Sequence, residues 1–494
     1  MPPSRLPYLP LALVALAALI GFRASLVGFD PGPDESWMVL VTTRLAHGDR
    51  LYQDVFCGVT PLAFQLHTAI QAVFGATLAV TRGLGFLLYA LSALLVLATG
   101  VALRLTRLQL VFLLAATLAW TVPDNTSSYS AWATLFELGA QYAAIRSLQS
   151  PHAARWAAAA GLAAGLAFAS KQNVGLLSCA ALLLGLALFR RRLLPVAAGA
   201  FVLAAALPLV PIALAGGLPA LSRYGFFNKS VYASVAAVSY QSFVYLTPMS
   251  LWSTDGLPVG TLLWGRSLLY LVPVVIPLAV VRLLGPRREA LRLHFIFAVA
   301  AFASVYPRPD HPHMLLYAPF AALSLALALP ASRACRWAAA AFGGLLLLQF
   351  FVWTTLLLNP LRATVPGTTA FQGLRVSPTF AKLAASAALL SAEQQGAKGI
   401  FLLHPNAPTL YLAAGVPNPT PYDYPLNSAF GPHGQEEMIH RLRTGEISLV
   451  CLPDQPWATD YFWNVFLPTQ LVHYVRTEMV PGPDRSVCQI YRPR

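Results

Sequence analysis
Apolar runs approaching 20 residues recur through the first 360 positions, separated by short polar breaks. Crossing ~30 Å of hydrocarbon takes about 20 apolar residues in a helix. The pattern therefore predicts about eleven spans, near 6–28, 79–103, 108–122, 129–146, 156–170, 174–189, 193–216, 262–281, 293–306, 314–331 and 337–358. The first run is too long for a signal-peptide core, and no A-x-A-like cleavage site precedes Asp30, so it reads as a retained helix. Hydropathy falls after Asn359. There "AKLAASAALLSAEQQGAKGIFLL" has a helical period, then Gly399 and a short apolar strand, and "QEEMIHRLRTGEISLVCLP" repeats the arrangement. Acids in the first turn and Arg441 and Arg443 in the last mark that second helix. The expected fold class is an all-α polytopic membrane protein with a small C-terminal α/β external domain. Its transmembrane part covers 1–360, with external loops 30–78 and 217–261, and the small domain covers 361–494.

Composition agrees. Of 494 residues 57% are hydrophobic and 11% charged, against about 25% charged in a soluble domain. A net charge of +14 raises nucleic acid as a partner, but the distribution argues against it. Arginines collect at alternate ends of successive runs: Arg5, then Arg104 and Arg107, Arg146 and Arg155, Arg190 to Arg192, Arg282 to Arg292, and Arg333 with Arg336. Glu289 is the one carboxylate among them. This positive-inside pattern sets orientation in a cytoplasmic membrane. An odd span count with a cytoplasmic N-terminus puts the C-terminal domain outside, in the periplasm or its equivalent.

That topology gathers the carboxylates Asp30, Asp34, Glu35, Asp49, Asp54, Asp124, Asp255 and Asp310 on the outer side. Two cationic or histidine-bearing stretches join them: "ASKQNVG" with Lys171, and "YPRPDHPH" with Arg308, Asp310, His311 and His313. Such a set suits group transfer from an anionic donor. A carboxylate activates an acceptor hydroxyl, and cations stabilise the departing phosphate. No Rossmann glycine fingerprint or Walker sequence is present, which favours an activated lipid over a nucleotide as donor. Cysteines 57, 179, 335, 451 and 488 have no metal spacing. Cys451 and Cys488 fall in two predicted strands; buried free thiols are the favoured reading over a pair.

The stretch "DPGPDESW…RLAHGDRLYQDVFCGVTPLAF" resembles the first external loop of the GT-C superfamily of membrane glycosyltransferases, in the branch of protein O-mannosyltransferases and the lipid A aminoarabinose transferase. The matching residues are Asp34-Glu35, Gly48 to Tyr52 with Asp54, and Pro61. "YPRPDHPHMLLYAPF" is similar to the Arg-x-Asp-x-x-His entry to a late span in bacterial relatives, and "PNAPTLYLAAGVPNPTPYDY" to their external C-terminal domains. The resemblance implies inverting transfer of a sugar from a polyprenyl-phosphate donor to a lipid, glycan or protein acceptor. It makes Asp34 the general base and Glu35 a supporting carboxylate, acceptor orienter or metal ligand. Arg308, Lys171, His311 and His313 would meet the donor phosphate, with Asp124, Asp310 and Tyr52 in support. A divalent metal, if one takes part, has Glu35, Asp124 and His313 as candidate ligands.

Plainer roles stand beside these. Asp34 and Glu35 suit the start of a helix near Trp37, "RPDHPH" a tight turn, Asp124 a turn former, and Lys171 a cation snorkelling to head groups. Arg23 could lie near the same interface as either a phosphate ligand or a snorkelling cation. Glu137, amid a span with Ser130, Thr134 and Gln141 at helical spacing, reads as a protonated, hydrogen-bonded packing residue. The competing functional class is a transporter or flippase of lipid-linked saccharides, or a polymerase or ligase sharing their donor. Transport would need charges lining a path through the membrane, and nearly every charge here lies at a face.

Overall fold
An apolar chain in lipid must satisfy its own backbone, and coiling into helices does so. The computed structural model describes residues 8–119, 129–227, 232–233, 289–307, 313, 317–328, 333–393, 399–453, 467–485 and 487–494. Within them the expected spans are helical: α1 Tyr8–Gly28, α4 Leu78–Ala102, α5 Arg107–Leu118, α6 Tyr129–Gln149, α7 Ala153–Ser170, α8 Gln172–Phe189, α9 Leu194–Ala206, α10 Glu289–Ser304, α11 Ala318–Ala328 and α12 Arg333–Leu358. Among the described residues, five stretches are long and apolar enough to cross a membrane. The expected span at 262–281 and most of the 217–261 loop lie outside the described residues.

Small residues let the bundle close. A Cβ on Gly161 would stand 2.1 Å from the Ala197 carbonyl oxygen, and one on Gly165 2.5 Å from that of Phe201. The Gly-x-x-x-Gly face of α7 therefore meets α9 backbone to backbone, as small residues allow in membranes. The common core is correspondingly rich in alanine, with Phe112, Phe297, Phe320 and Trp353 filling the wider gaps.

Between α1 and α4 the chain forms two shorter helices, α2 Pro33–Ala46 and α3 Leu62–Phe74. After α12 it builds a four-stranded sheet, β1 Ile400–Leu402, β2 Leu449–Leu452, β3 Val480–Arg485 and β4 Cys488–Arg492, in the order β1-β2-β4-β3. The first two strands are parallel, and the helix–glycine–strand pattern read twice from the sequence supplies them. Helices α13 Pro378–Ala388, α14 Ala407–Ala414, α15 Gly434–Arg443 and α16 Thr469–Glu478 complete this layer. One expectation is corrected: Cys451 and Cys488 form a disulfide. Antiparallel pairing sets Cys451 opposite Ile490, bringing the two cysteine Cα atoms to 5.5 Å, inside the range a disulfide needs.

The C-terminal layer is tied to α2 along its length. Asp30, just before α2, accepts from the Ser377 amide at 2.7 Å and its hydroxyl at 2.6 Å, where Ser377 caps α13. Thr409 of α14 donates to the Ser36 hydroxyl at 2.9 Å. In the last turn Arg44 donates to buried Asp423 at 2.6 Å and to the Thr420 carbonyl at 2.9 Å.

His404, in the turn after β1, is buried with Nδ1 accepting the Asn406 amide at 2.9 Å. Burial pushes its pKa down to about 3, from an ordinary 6.5. The unfolded chain takes up this proton below pH 6.5 and the folded one does not, so stability is complete above 6.5 and falls as pH drops toward 3. The expected slope is about 1.4 kcal/mol per pH unit. Thermal melts across that window should show it, and His404→Gln should flatten it; an unchanged slope in the variant counts against His404 as the source.

Candidate active site
The site begins with how α2 starts. Proline has no N–H to lose and a φ already suited to a first helical turn, so Pro33 opens the helix after Gly32. Asp34 and Glu35 then stand inside the first turn, where negative charge is favoured. The helix starts four residues earlier than the sequence suggests, and Gly32 occupies the cap position. Asp34 is exposed. Glu35 is buried at 2% exposure.

Glu35 is held by a residue that sequence reading overlooked. Arg82, one turn into α4 and 1% exposed, donates through Nε to Glu35 Oε2 at 2.9 Å and through Nη2 to Oε1 at 2.6 Å. Its other hydrogens reach the carbonyls of Ser25, of Phe29 at 3.2 Å and of Asp30 at 3.3 Å. The Gly32 amide donates to Glu35 Oε1 at 3.0 Å. One planar guanidinium thus clamps the end of α1 to the start of α2 and fixes the turn that carries Asp34. A lone arginine inside an otherwise apolar helix was the available signal.

These bonds engage both Glu35 oxygens. Among the described residues no three histidine, cysteine or carboxylate side chains gather to hold an ion.

Lys171 comes from another direction. It forms the extended break between α7 and α8, which is tight because Gly175 allows it; a Cβ there would lie 1.9 Å from the Phe168 amide nitrogen. Lys171 Nζ donates to Ser130 Oγ at 3.0 Å and sits 5.5 Å from the Tyr129 ring centre. Tyr129 meets Trp37 edge-on at 6.4 Å, and Trp37 lies one turn beyond Asp34 on α2. The lysine is buried rather than snorkelling. One aromatic contact separates its partner ring from the helix of Asp34.

Glu137, two turns below Ser130 on α6, is wholly buried. It departs from expectation because no described residue hydrogen-bonds either oxygen. Gln141, one turn further, does have a partner in His294 at 2.5 Å, which in turn meets Ser324 at 3.0 Å. Tyr52 is buried with φ +72°, its hydroxyl donating to the Val59 carbonyl at 2.6 Å. It braces the loop and does not face solvent. Asp54 pairs with Arg50 at 2.8 Å, and Arg23 is exposed on α1. His313 is half-buried. Asp124, Arg308, Asp310 and His311 lie outside the described residues.

No family profile and no curated protein is matched by the sequence. Comparison with solved structures is informative. ArnT from Cupriavidus metallidurans, crystallised bound to undecaprenyl phosphate, superposes with a TM-score of 0.59 at 15% identity, over 97% of each chain. The archaeal oligosaccharyltransferase AglB from Archaeoglobus fulgidus, in complex with an inhibitory peptide and a dolichol-phosphate, gives 0.56 at 12% identity, over 99% of this chain and 74% of its own. This chain has the GT-C fold. Identity this low establishes architecture; the chemistry rests on the residues described above.

Proposed function
We propose that the chain is an integral membrane glycosyltransferase that moves a sugar from a polyprenyl-phosphate donor to an acceptor hydroxyl at the outer face of the cytoplasmic membrane. The observation that carries this reading is an exposed carboxylate, Asp34, on a turn held rigid by the buried Glu35–Arg82 clamp, with Lys171 near the same helix. That both similar structures were solved with polyprenyl or dolichol phosphates supports the choice of donor.

In this reaction the acceptor oxygen attacks the anomeric carbon from the face opposite the phosphate, and configuration inverts. Its proton passes to an Asp34 carboxylate oxygen. The bond between the anomeric carbon and the phosphate oxygen breaks, and its electron pair leaves with the polyprenyl phosphate. Lys171 stabilises the charge growing there, with Arg308, His311 and His313 as the further proposed cations. Glu35 and Arg82 keep the turn in place and transfer no proton.

Purified protein in detergent should form a glycosylated acceptor from a radiolabelled polyprenyl-phosphate sugar. Movement of intact lipid-linked sugar across vesicles without product would favour a flippase instead. Lys171→Met removes one charged contact to the donor phosphate. Charged hydrogen bonds contribute roughly 1.5–3 kcal/mol, so the donor KM should rise about 10-fold or more and kcat should fall. Arg308→Ala should act in the same direction, with Arg308→Lys recovering only part. Unchanged donor kinetics in both the Lys171 and Arg308 variants would remove them from the phosphate site.

A further inference from the structure
Lys171 stands on an extended break between two helices. A helix end has lost part of its own hydrogen-bond ladder, so other groups must hold this one in place. The α7 ladder stops at the Lys171 amide, which bonds the Ala167 carbonyl at 2.8 Å. The next carbonyl, that of Phe168, accepts from the Thr60 hydroxyl at 2.5 Å instead. Gln172, the following residue, is buried. Its side-chain nitrogen donates to the Gly58 carbonyl at 3.2 Å and to the Gly225 carbonyl at 2.6 Å.

These two carbonyls belong to different segments. Gly58 lies in the first loop, where the Tyr52 hydroxyl braces the next carbonyl, that of Val59, at 2.6 Å. Arg44, in the last turn of α2, anchors that loop through the Asp54 carbonyl at 2.8 Å. Gly225 lies in the π-helical turn Arg223–Phe227, whose Tyr224 meets Phe56 of the same loop edge-on at 5.1 Å. Contacts therefore lead from the helix of Asp34 through the first loop to Gln172, and Lys171 is its neighbour in the chain.

The side chain suits this task better than it suits packing. Gln172 Oε1 is buried, and no described residue hydrogen-bonds it. An unmatched buried oxygen costs stability, and an apolar side chain of similar length would avoid that cost. What the amide adds is donation to two carbonyls at once.

We propose that Gln172 is a positioning residue: it fixes the break from which Lys171 reaches and so sets where the ammonium stands relative to the Asp34 helix. The proposal rests on Lys171 meeting the donor phosphate.

The readout is the Kd for undecaprenyl phosphate, which needs no transfer, measured by calorimetry on the full chain in detergent. Parent, Lys171→Met, Gln172→Met and the double variant form a cycle. Lys171→Met should raise Kd about tenfold or more, through loss of a charged hydrogen bond. Gln172→Met keeps the length and removes the donors; it should raise Kd roughly three- to tenfold. In the Lys171→Met background the same change should raise it by less than about twofold, because the group it positions is gone. A side chain that only supports the fold would cost the same factor in both backgrounds. Should Gln172→Met melt well below the parent, Gln172→Asn, with the amide on a shorter arm, goes through the same cycle. Equal factors in both backgrounds, or an unchanged Kd on altering Gln172 in the parent, would overturn the role of Gln172 and leave Lys171 at the phosphate. An unchanged Kd in Lys171→Met, or a parent that does not bind undecaprenyl phosphate, would defeat the phosphate reading of Lys171 and the positioning role with it.

Discussion

Asp34→Asn is expected to lower turnover by roughly 10²–10⁴-fold, the usual cost of losing a general base. The amide nearly matches the carboxylate in shape, and the position is exposed on a first helical turn. Folding should therefore be little affected, and with the donor-phosphate cations untouched, donor affinity should stay within a fewfold of the parent. The measurements are single-turnover transfer from a polyprenyl-phosphate sugar, donor binding, and a melting curve on the same preparation. A slow, stable, donor-competent variant is the expected combination. Near-normal turnover would sink the mechanism.

The second large effect lies behind that residue. Arg82→Met leaves Glu35 charged and buried, and Glu35→Gln leaves Arg82 so; breaking one half of a buried ion pair typically costs about 3–5 kcal/mol. Arg82 also supports the carbonyls of Phe29 and Asp30, so its loss should be the more severe. Both single variants should melt earlier and transfer sugar slowly. Arg82→Lys should fail to restore them, because a point charge cannot hold two carboxylate oxygens and the α1 carbonyls together. The double variant Glu35→Gln/Arg82→Met separates stability from positioning. It removes both charges and should regain melting temperature, while turnover stays low because the Asp34 turn is no longer braced. Recovery of full turnover in the double variant would show that the clamp matters only for folding.

These two predictions differ in how far the sequence foresaw them. Asp34-Glu35 is conspicuous in one dimension, since adjacent acids among proline and glycine cannot continue an apolar helix. Their division of labour is not, because it depends on a partner 47 residues away. Lys171 was visible as a cation between two spans, but its burial against Tyr129 and Ser130 is set by how tightly α7 and α8 reverse at Gly175. The cleft between α2 and the C-terminal layer had no one-dimensional signature. Its walls join residues 40–54 to residues 367–421.

What the sequence determined by itself is whatever follows from length and local chemistry. Runs of apolar residues must become helices because lipid offers the backbone no other partner, and α1 and the helices from α4 to α12 follow from that. The glycine-punctuated helix–strand pattern predicted β1 and β2 for the same local reason. Tertiary structure decided pairings between residues far apart in the chain. Cys451 meets Cys488 because β2 and β4 are sheet neighbours, although β3 precedes β4 in sequence. Arg44 meets Asp423 across 379 positions, and Arg82 meets Glu35 across 47. Each of these charges had several chemically adequate partners, and only packing could choose one, since a buried charge must be matched where it lies.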